Sequence, residues 1–465
     1  FMRVKVGGGQ DFVPDPLNGK VIVYETPDPN RSNGYIFTCL PPGEKVLTDE
    51  EGLLNVEDVS MEHTLINQTG KQVEIKKLIS HNVEEPLYTF KTSNTFRTTS
   101  FTGEHPILVS EHRRKRDYTN WRTVGRSGEG YHDFDFKYIP AKDVKKGDWM
   151  RIPNIYKNPN TFDIDCLWED YWVRVDRRID SPLYDPDFWW FVGLWLGDGF
   201  CLNRGYKIIV CFNELETEYI DKFTRVVRRL FNRSVSYSTA NGSTQCIFCM
   251  QHLSTFMTKH FGRYADGKRI PEWAKRINNT CKRELITGYL DSDGSVMNSE
   301  RRGTDFLIEF VSINLELLEG FQDILFSLGI VGGISKLRDP SIHPFRINNN
   351  ESPTKTCYHL RLAHHNSEKL ARTLDYKNNL KLKRINLEEA VIKRKHPEYQ
   401  CFIDKSLEFI YFRITGIEVS EYLGPVYNFE CETNTFLCHH ITAHNCDPAE
   451  DDDVEKTRDT SNLSL

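Results

Sequence analysis

Long hydrophobic runs are missing from this sequence. No stretch of about 18 apolar residues occurs, which excludes a membrane-spanning helix. Residues 1–20, FMRVKVGGGQDFVPDPLNGK, hold no apolar leader core. We therefore expect a soluble, intracellular, cytoplasmic chain. A basic excess is missing too: 60 Lys and Arg face 66 Asp and Glu, a formal net charge of -6. That excludes a general positive coat for nucleic acid but leaves room for a local basic face. Cysteine is present twelve times, yet zinc spacing is scarce. Cys246 and Cys249 form a lone CxxC in a strand-like stretch, with no second pair to complete a site. Buried thiols are the better reading, and a small secreted disulfide scaffold is excluded.

What is present points to several domains. At 465 residues, with 28 Phe, 20 Tyr and 8 Trp, the chain is long and aromatic enough for two or three cores. Residues 1–38 read as strand, turn and strand. At Cys39 the texture changes, and from there to 153 short strand-like runs alternate with turns (EKVLT, KQVEIKKLIS, PLYTFKT, HPILVS, DWMRIP). Residues 154–185 are rich in Trp, Tyr and Arg and have no assigned role. From 186 to 396 helix-like and strand-like segments follow one another twice, an internal repeat. Strand texture returns from 397 to 445, and 446–465 are acidic and polar. The expected fold class is multidomain: an all-β domain split by an inserted α+β domain with a pseudo-two-fold repeat.

The chemistry concentrates at the edges of the β segments. His444, Asn445 and Cys446 stand in a row. An asparagine side-chain amide can attack its own main-chain carbonyl, closing a succinimide and cutting the peptide bond that follows. A preceding histidine can polarise that carbonyl or protonate the leaving group. A cysteine after the cut can accept an acyl group on sulfur. Such a scheme needs a second cysteine upstream, and Cys39 lies where the texture breaks. Thr102 and His105, in TGEH, suit the positioning of the peptide before Cys39.

CLPPGEKVLT, TGEH, AKDVKKGDWMRIP and VYNFECETNTFLCHHITAHN followed by Cys resemble the motifs of an intein, in that family's order. The resemblance implies a horseshoe-like Hint splicing domain over 39–153 and 397–445, with flanking extein segments at 1–38 and 446–465. It implies an acyl shift onto Cys39 helped by Thr102 and His105, and transfer to Cys446. Cyclisation of Asn445 with His444, and a final shift joining Thr38 to Cys446, would follow without any cofactor. Asn428, in VYNF, departs from the family's usual Asp. That puts the rate of the cysteine steps in doubt. His439 and His440 lie near the junction and are read as positional.

FVGLWLGDG (191–199) and LITGYLDSDG (285–294) resemble the paired motifs of LAGLIDADG homing endonucleases. Two helices that pack side by side, with Gly193 and Gly288 at the approach, would each end on an acid, Asp198 and Asp293. The resemblance implies that these acids hold Mg2+ or Mn2+ for cleavage of a double-stranded DNA target, with the protein acting as a monomer. Lys268 in GKRIPEW and Lys336 in GGISKL resemble the family's active-site lysines. Leu196 and Asp291 occupy the earlier acid position. Arg113 to Arg116 read as a solvated loop or a contact to flanking DNA. Joining 1–38 to 446–465 gives a strand followed by Asp447, which resembles the nuclease region of a phage terminase large subunit. Two other readings remain: a DNA endonuclease with impaired or conditional splicing, and an inactive DNA-binding relic.

Overall fold

The computed structural model describes residues 4–6, 10–12, 39–111, 134–160, 163–169, 179–202, 206–299, 305–340, 355–362, 365–375, 379, 381–382 and 401–445. Cys446, Asp447 and Arg113 to Arg116 lie outside these residues, as do all of 1–38 except a two-stranded pair, Val4–Val6 with Gln10–Phe12. No helix among the described residues is long and apolar enough to cross a membrane.

Two bodies make up the described chain. The first is a twelve-stranded antiparallel sheet drawn from both ends of the sequence. Its frame is a ribbon of two long strands, Gln72–Thr92 and Phe409–Cys431, paired from Thr92 opposite Ile414 to Ile75 opposite Cys431. In Gln72–Thr92 buried and exposed residues alternate over much of its length, so one face can pack while the other meets water. The last strands of the chain are threaded among the first. Ile441–His444 pairs with Pro106–Ser110 through Ala443 and Ile107, and Thr435–Cys438 pairs with Lys45–Thr48 through Cys438 and Val46. A core of Leu40, Val46, Phe90, Phe101, Ile107, Met150, Phe429 and Phe436 holds both halves. Neither half could close this sheet alone.

The second body repeats one pattern. A helix (Pro186–Asp198) runs into two strands, a helix (Thr217–Phe231), two more strands and a helix (Gln251–Phe261). A second helix (Asn279–Asp291) opens the same series, which ends on His365–Thr373. Each repeat forms a four-stranded sheet with the same order of pairing. The two opening helices pack on each other at the centre. Phe188 through Leu196 of the first are all buried, so this helix is apolar on every side. Contact is close because Gly193 and Gly288 face the neighbouring helix. A Cβ at Gly193 would lie 2.1 Å from Leu285 O, and one at Gly288 2.0 Å from Trp190 O.

The bodies are fastened to one another. Arg97 Nε donates to both Glu319 oxygens at 2.8 and 3.0 Å, Arg276 pairs with Asp49 at 3.0 Å, and Asn94 O accepts from Ile334 N and Gln322 Nε2. The described parts of 154–185 join them as well. Tyr156 O accepts from Lys282 Nζ, Asn154 Nδ2 donates to Phe326 O, and Trp168 packs against Phe188, His252 and Phe256. These described parts of a segment without an assigned role thus form a packed joint. Cys246 is buried, but Cys249, three residues on in the same strand, is exposed. The two thiols lie on opposite faces, which corrects the expectation that both are buried and denies them a shared metal.

Candidate functional site

Two groups of polar residues are assembled at places an ordinary core would leave apolar. The first sits where the two central helices end. Gly197 is so close to the other helix that a Cβ there would lie 2.0 Å from Ser292 Oγ and 3.2 Å from Asp293 N. The helix ends therefore touch, and Asp198 and Asp293 open onto a common surface. Both carboxyls have solvent on one side and a wall of protein on the other. The wall and the charge of Asp293 push the pKa of Asp198 up to about 6. Burial also raises Asp293, while Lys268 and Lys381 lower it. Two acids that resist joint ionisation are a poor structural choice and a good cation site.

Lys268 and Lys381 occupy matching places. Lys268 Nζ donates to Trp195 O at 3.0 Å and Gly197 O at 2.8 Å. Lys381 Nζ donates to Leu290 O at 2.7 Å, Ser292 O at 3.0 Å and Gly294 O at 2.8 Å. Trp195 and Gly197 stand in the first repeat where Leu290 and Ser292 stand in the second. Each ammonium satisfies carbonyls that the end of a helix leaves without partners, and its charge opposes the negative helix terminus. Burial lowers both lysines, Lys268 to about 8.

Lys336 is not at this site, which corrects its assignment. It lies on the strand Gly333–Arg338, half-exposed, and pairs with Asp339 at 2.6 Å. The physical reason is repeat order: Lys268 follows the last helix of its repeat, and in the second repeat that position is reached by Lys381. Counting past the helix His365–Thr373 would have found it. Asp291 is buried and accepts from Trp190 Nε1 at 2.9 Å, Tyr219 OH at 3.2 Å and Asn379 Nδ2 at 3.3 Å. It braces the helix pair rather than opening onto the surface with Asp198 and Asp293. Tyr219 and Asn379 carried no signal in the sequence.

The second group lies where the strand Phe409–Cys431 crosses the two halves of the large sheet. Leu40 and Tyr427 exchange backbone hydrogen bonds of 2.9 and 2.8 Å, which sets Cys39 opposite Asn428. Cys39 is fully buried. Its N–H donates to Thr102 Oγ1 at 2.9 Å, Thr102 N donates to Cys39 O at 3.0 Å, and His105 N donates to Thr102 O at 3.1 Å. The TGEH turn is thus clamped on the Cys39 backbone, with the His105 ring buried against Phe101. Asn428 is buried, and its Oδ1 accepts from Phe429 N at 2.8 Å. Further along the same strand, Cys431 Sγ accepts from Asn445 Nδ2 at 3.6 Å. Tyr427 and Cys431 are four residues apart, roughly 13 Å in an extended strand. The segments holding Cys39 and Asn445 are therefore neighbours, although 406 positions separate them in the sequence.

His444 Nδ1 lies 2.6 Å from Asn445 O, and Tyr138 packs edge-on against the imidazole at 5.1 Å. Asn445 N donates to Asn434 O at 2.9 Å. Asn445 Oδ1 is buried with no hydrogen-bond partner among the described residues. His439 and His440 point elsewhere. Their rings stack at 3.8 Å, His440 lies on Phe412, and His439 Nε2 is 3.8 Å from Glu319 of the repeat body. Burial lowers both, His440 to about 3. They act at the joint between the bodies.

Residues 280–373, the second repeat, match the LAGLIDADG-like domain family. The chain contains a LAGLIDADG-like domain. Among curated proteins it is similar to an iron-sulfur cluster assembly SufBD family protein of Mycobacterium tuberculosis, 24% identical over 56% of this chain and 29% of that protein. It is similar to the ATP-dependent DNA helicase Hel308 of Thermococcus kodakarensis, 23% identical over 88% of this chain and 36% of the helicase. The chain thus spans about a third of the length of these relatives. Among solved structures it resembles the homing endonuclease I-DmoI in complex with DNA and Mn. That match has 13% identity, covers 41% of this chain and 96% of that one, and has a TM-score of 0.28.

Proposed function

We propose that residues 39–445 excise themselves from the chain and join their flanks, and that the LAGLIDADG-like domain within them cuts double-stranded DNA. The observation that carries the first activity is the pairing of His444 Nδ1 with Asn445 O at 2.6 Å. Asn445 O is the carbonyl that the Asn445 amide must attack. An imidazole there can polarise it, and the Asn445 amide is held only by the long contact of its Nδ2 with Cys431 Sγ at 3.6 Å, its buried Oδ1 having no partner among the described residues. Cys39, with its amide held by Thr102 and the TGEH turn, would form the thioester, and Cys446 would receive it.

The relatives support an inserted element. Iron-sulfur assembly and DNA unwinding have nothing in common as activities, yet this chain matches about a third of a protein of each kind. What they share is then a segment carried by unrelated hosts. The terminase-like host reading rests on residues outside those described, and it stands as a proposal on sequence alone.

For DNA cleavage, Asp198 and Asp293 would hold Mg2+ or Mn2+. The donor set fits: two open carboxylates leave most of the coordination sphere to water and phosphate oxygens, the pattern magnesium prefers. A bound divalent cation supplies Lewis-acid stabilisation of the charge that develops on the phosphate. Lys268 and Lys381 hold the helix ends in place and add positive charge beside the acids. The exposed strand face carrying Lys336 and Arg338 would meet the DNA backbone.

Mass spectrometry of the incubated protein tests the first activity. Wild type should yield an insert ending at Asn445 and a joined flank product, whereas Cys39→Ala and Asn445→Ala should not. An unchanged wild-type chain would leave the endonuclease as the activity to pursue.

A further inference from the structure

A histidine that no motif marks lies beside the Cys39 thiol. His81 belongs to the long strand Gln72–Thr92, where it pairs in register with Val426. Its Nε2 lies 3.4 Å from Cys39 Sγ, within hydrogen-bonding range for sulfur. The Cys39 side chain also packs in a small apolar cluster with Val83 and Val426. Such a place cannot stabilise a thiolate by hydration, so the thiol needs a proton acceptor in contact with it. Asn428, across from Cys39, cannot serve: an amide is not a base, and its Oδ1 already accepts from Phe429 N. His105 belongs to the turn that holds the Cys39 backbone, and its ring packs against Phe101 and Phe436. Burial lowers His81 to about 4, so the ring is neutral at pH 7 with one nitrogen able to accept, but as a weak base that can only relay the proton while the sulfur attacks.

We propose that His81 is the general base for Cys39, its Nε2 taking the Sγ proton as sulfur attacks the carbonyl carbon preceding Cys39. This rests on the splicing reading above. The new bond is sulfur to carbonyl carbon, and the bond that breaks is that carbon to the Cys39 nitrogen. The proton removed from sulfur ends on that nitrogen, so the step is redox-neutral and needs no co-reactant. The two histidines divide the work: His105 and Thr102 serve the departing nitrogen, and His81 serves the sulfur.

The test uses the full chain carrying Asn445→Ala, in which release of the upstream flank by added dithiothreitol reports thioester formation. His81→Gln and His81→Asn should slow this release at pH 7 about 100-fold, a usual share for a positioned base. The deficit should shrink as pH rises above the ordinary thiol value of about 8.5, where base from solution competes for the proton. Rates within about threefold of the parent at every pH, in variants whose melting temperatures are unchanged, would overturn the assignment. A parent that releases nothing would instead sink the splicing reading. His81 is then judged by 15N-histidine NMR of the wild-type chain. An Nδ1–H tautomer whose Nε2 signal moves on Cys39→Ala supports the pairing, and an Nε2–H tautomer refutes it, because that nitrogen could not accept a proton.

Discussion

Gly193→Ala is expected to damage the repeat body severely, because the added methyl meets only backbone of the partner helix. The added carbon would lie 2.1 Å from Leu285 O, 2.7 Å from Tyr289 N and 3.1 Å from Gly288 C, all backbone atoms of the partner helix. No side chain can swing away. To reach even 3.0 Å the helices must part by about 0.9 Å. Overpacking a core costs about 1–3 kcal/mol when side chains can adjust. With backbone on both sides we expect about 3–5 kcal/mol, or roughly 6–20 °C in melting temperature for a body of about 200 residues. Gly288→Ala meets Trp190 O at 2.0 Å and should behave alike. The double variant should cost less than the sum, because helices already parted admit the second methyl. Gly267→Ala, whose nearest neighbour is Tyr264 O at 3.8 Å, is the control and should leave the melt unchanged. Calorimetry of the four variants beside wild type decides the matter. A Gly193→Ala melt within 2–3 °C of wild type, under about 1 kcal/mol, would refute close helix packing as the reason for glycine.

Three further outcomes follow from the site geometry. DNA cleavage should fall as pH drops through about 6, where Asp198 takes up a proton and ceases to be a cation ligand. Stability should move the other way. A carboxyl raised on folding favours the fold at low pH and loses that contribution as pH rises past about 6, so Asp198→Asn should abolish cleavage and slightly raise the melting temperature at pH 8. Solvent on the open side of the carboxyl holds that gain under about 1 kcal/mol. Lys268 and Lys381 should differ: Lys381 spends all three N–H donors on carbonyls, whereas Lys268 spends two and keeps one for a ligand. Lys268→Met should therefore lower cleavage with a modest stability loss, and Lys381→Met should lower the melting temperature more; a nicking assay beside a thermal melt separates them. Asn428→Asp keeps the acceptor for Phe429 N and replaces an amide by a carboxylate that can accept a proton opposite Cys39, so dithiothreitol-induced release in the Asn445→Ala background should quicken severalfold. No change would remove Asn428 as the reason for slow thioester formation.

The sequence by itself determined much of the plan. Apolar runs ending on Asp198 and Asp293 fixed two central helices, since a helix apolar on all sides must be buried between others. Strand texture on both sides of the repeat implied one sheet built from two ends, and the break at Cys39 marked its edge. Other features were decided in three dimensions. Lys381 is chosen over Lys336 because only repeat symmetry, expressed in space, returns a lysine to the helix carbonyls. His81 carries no motif, and strand register alone brings it to Cys39. His439 and His440 lie close in sequence to the Asn445 junction, yet a tight turn with His439 at φ +50° sends them to the joint with Glu319. The segments holding Cys39 and Asn445 become neighbours because each touches the same long strand, at Tyr427 and at Cys431. Local pattern fixes which residues form strands, and the order in which strands pair across 406 positions is settled by packing of the whole sheet.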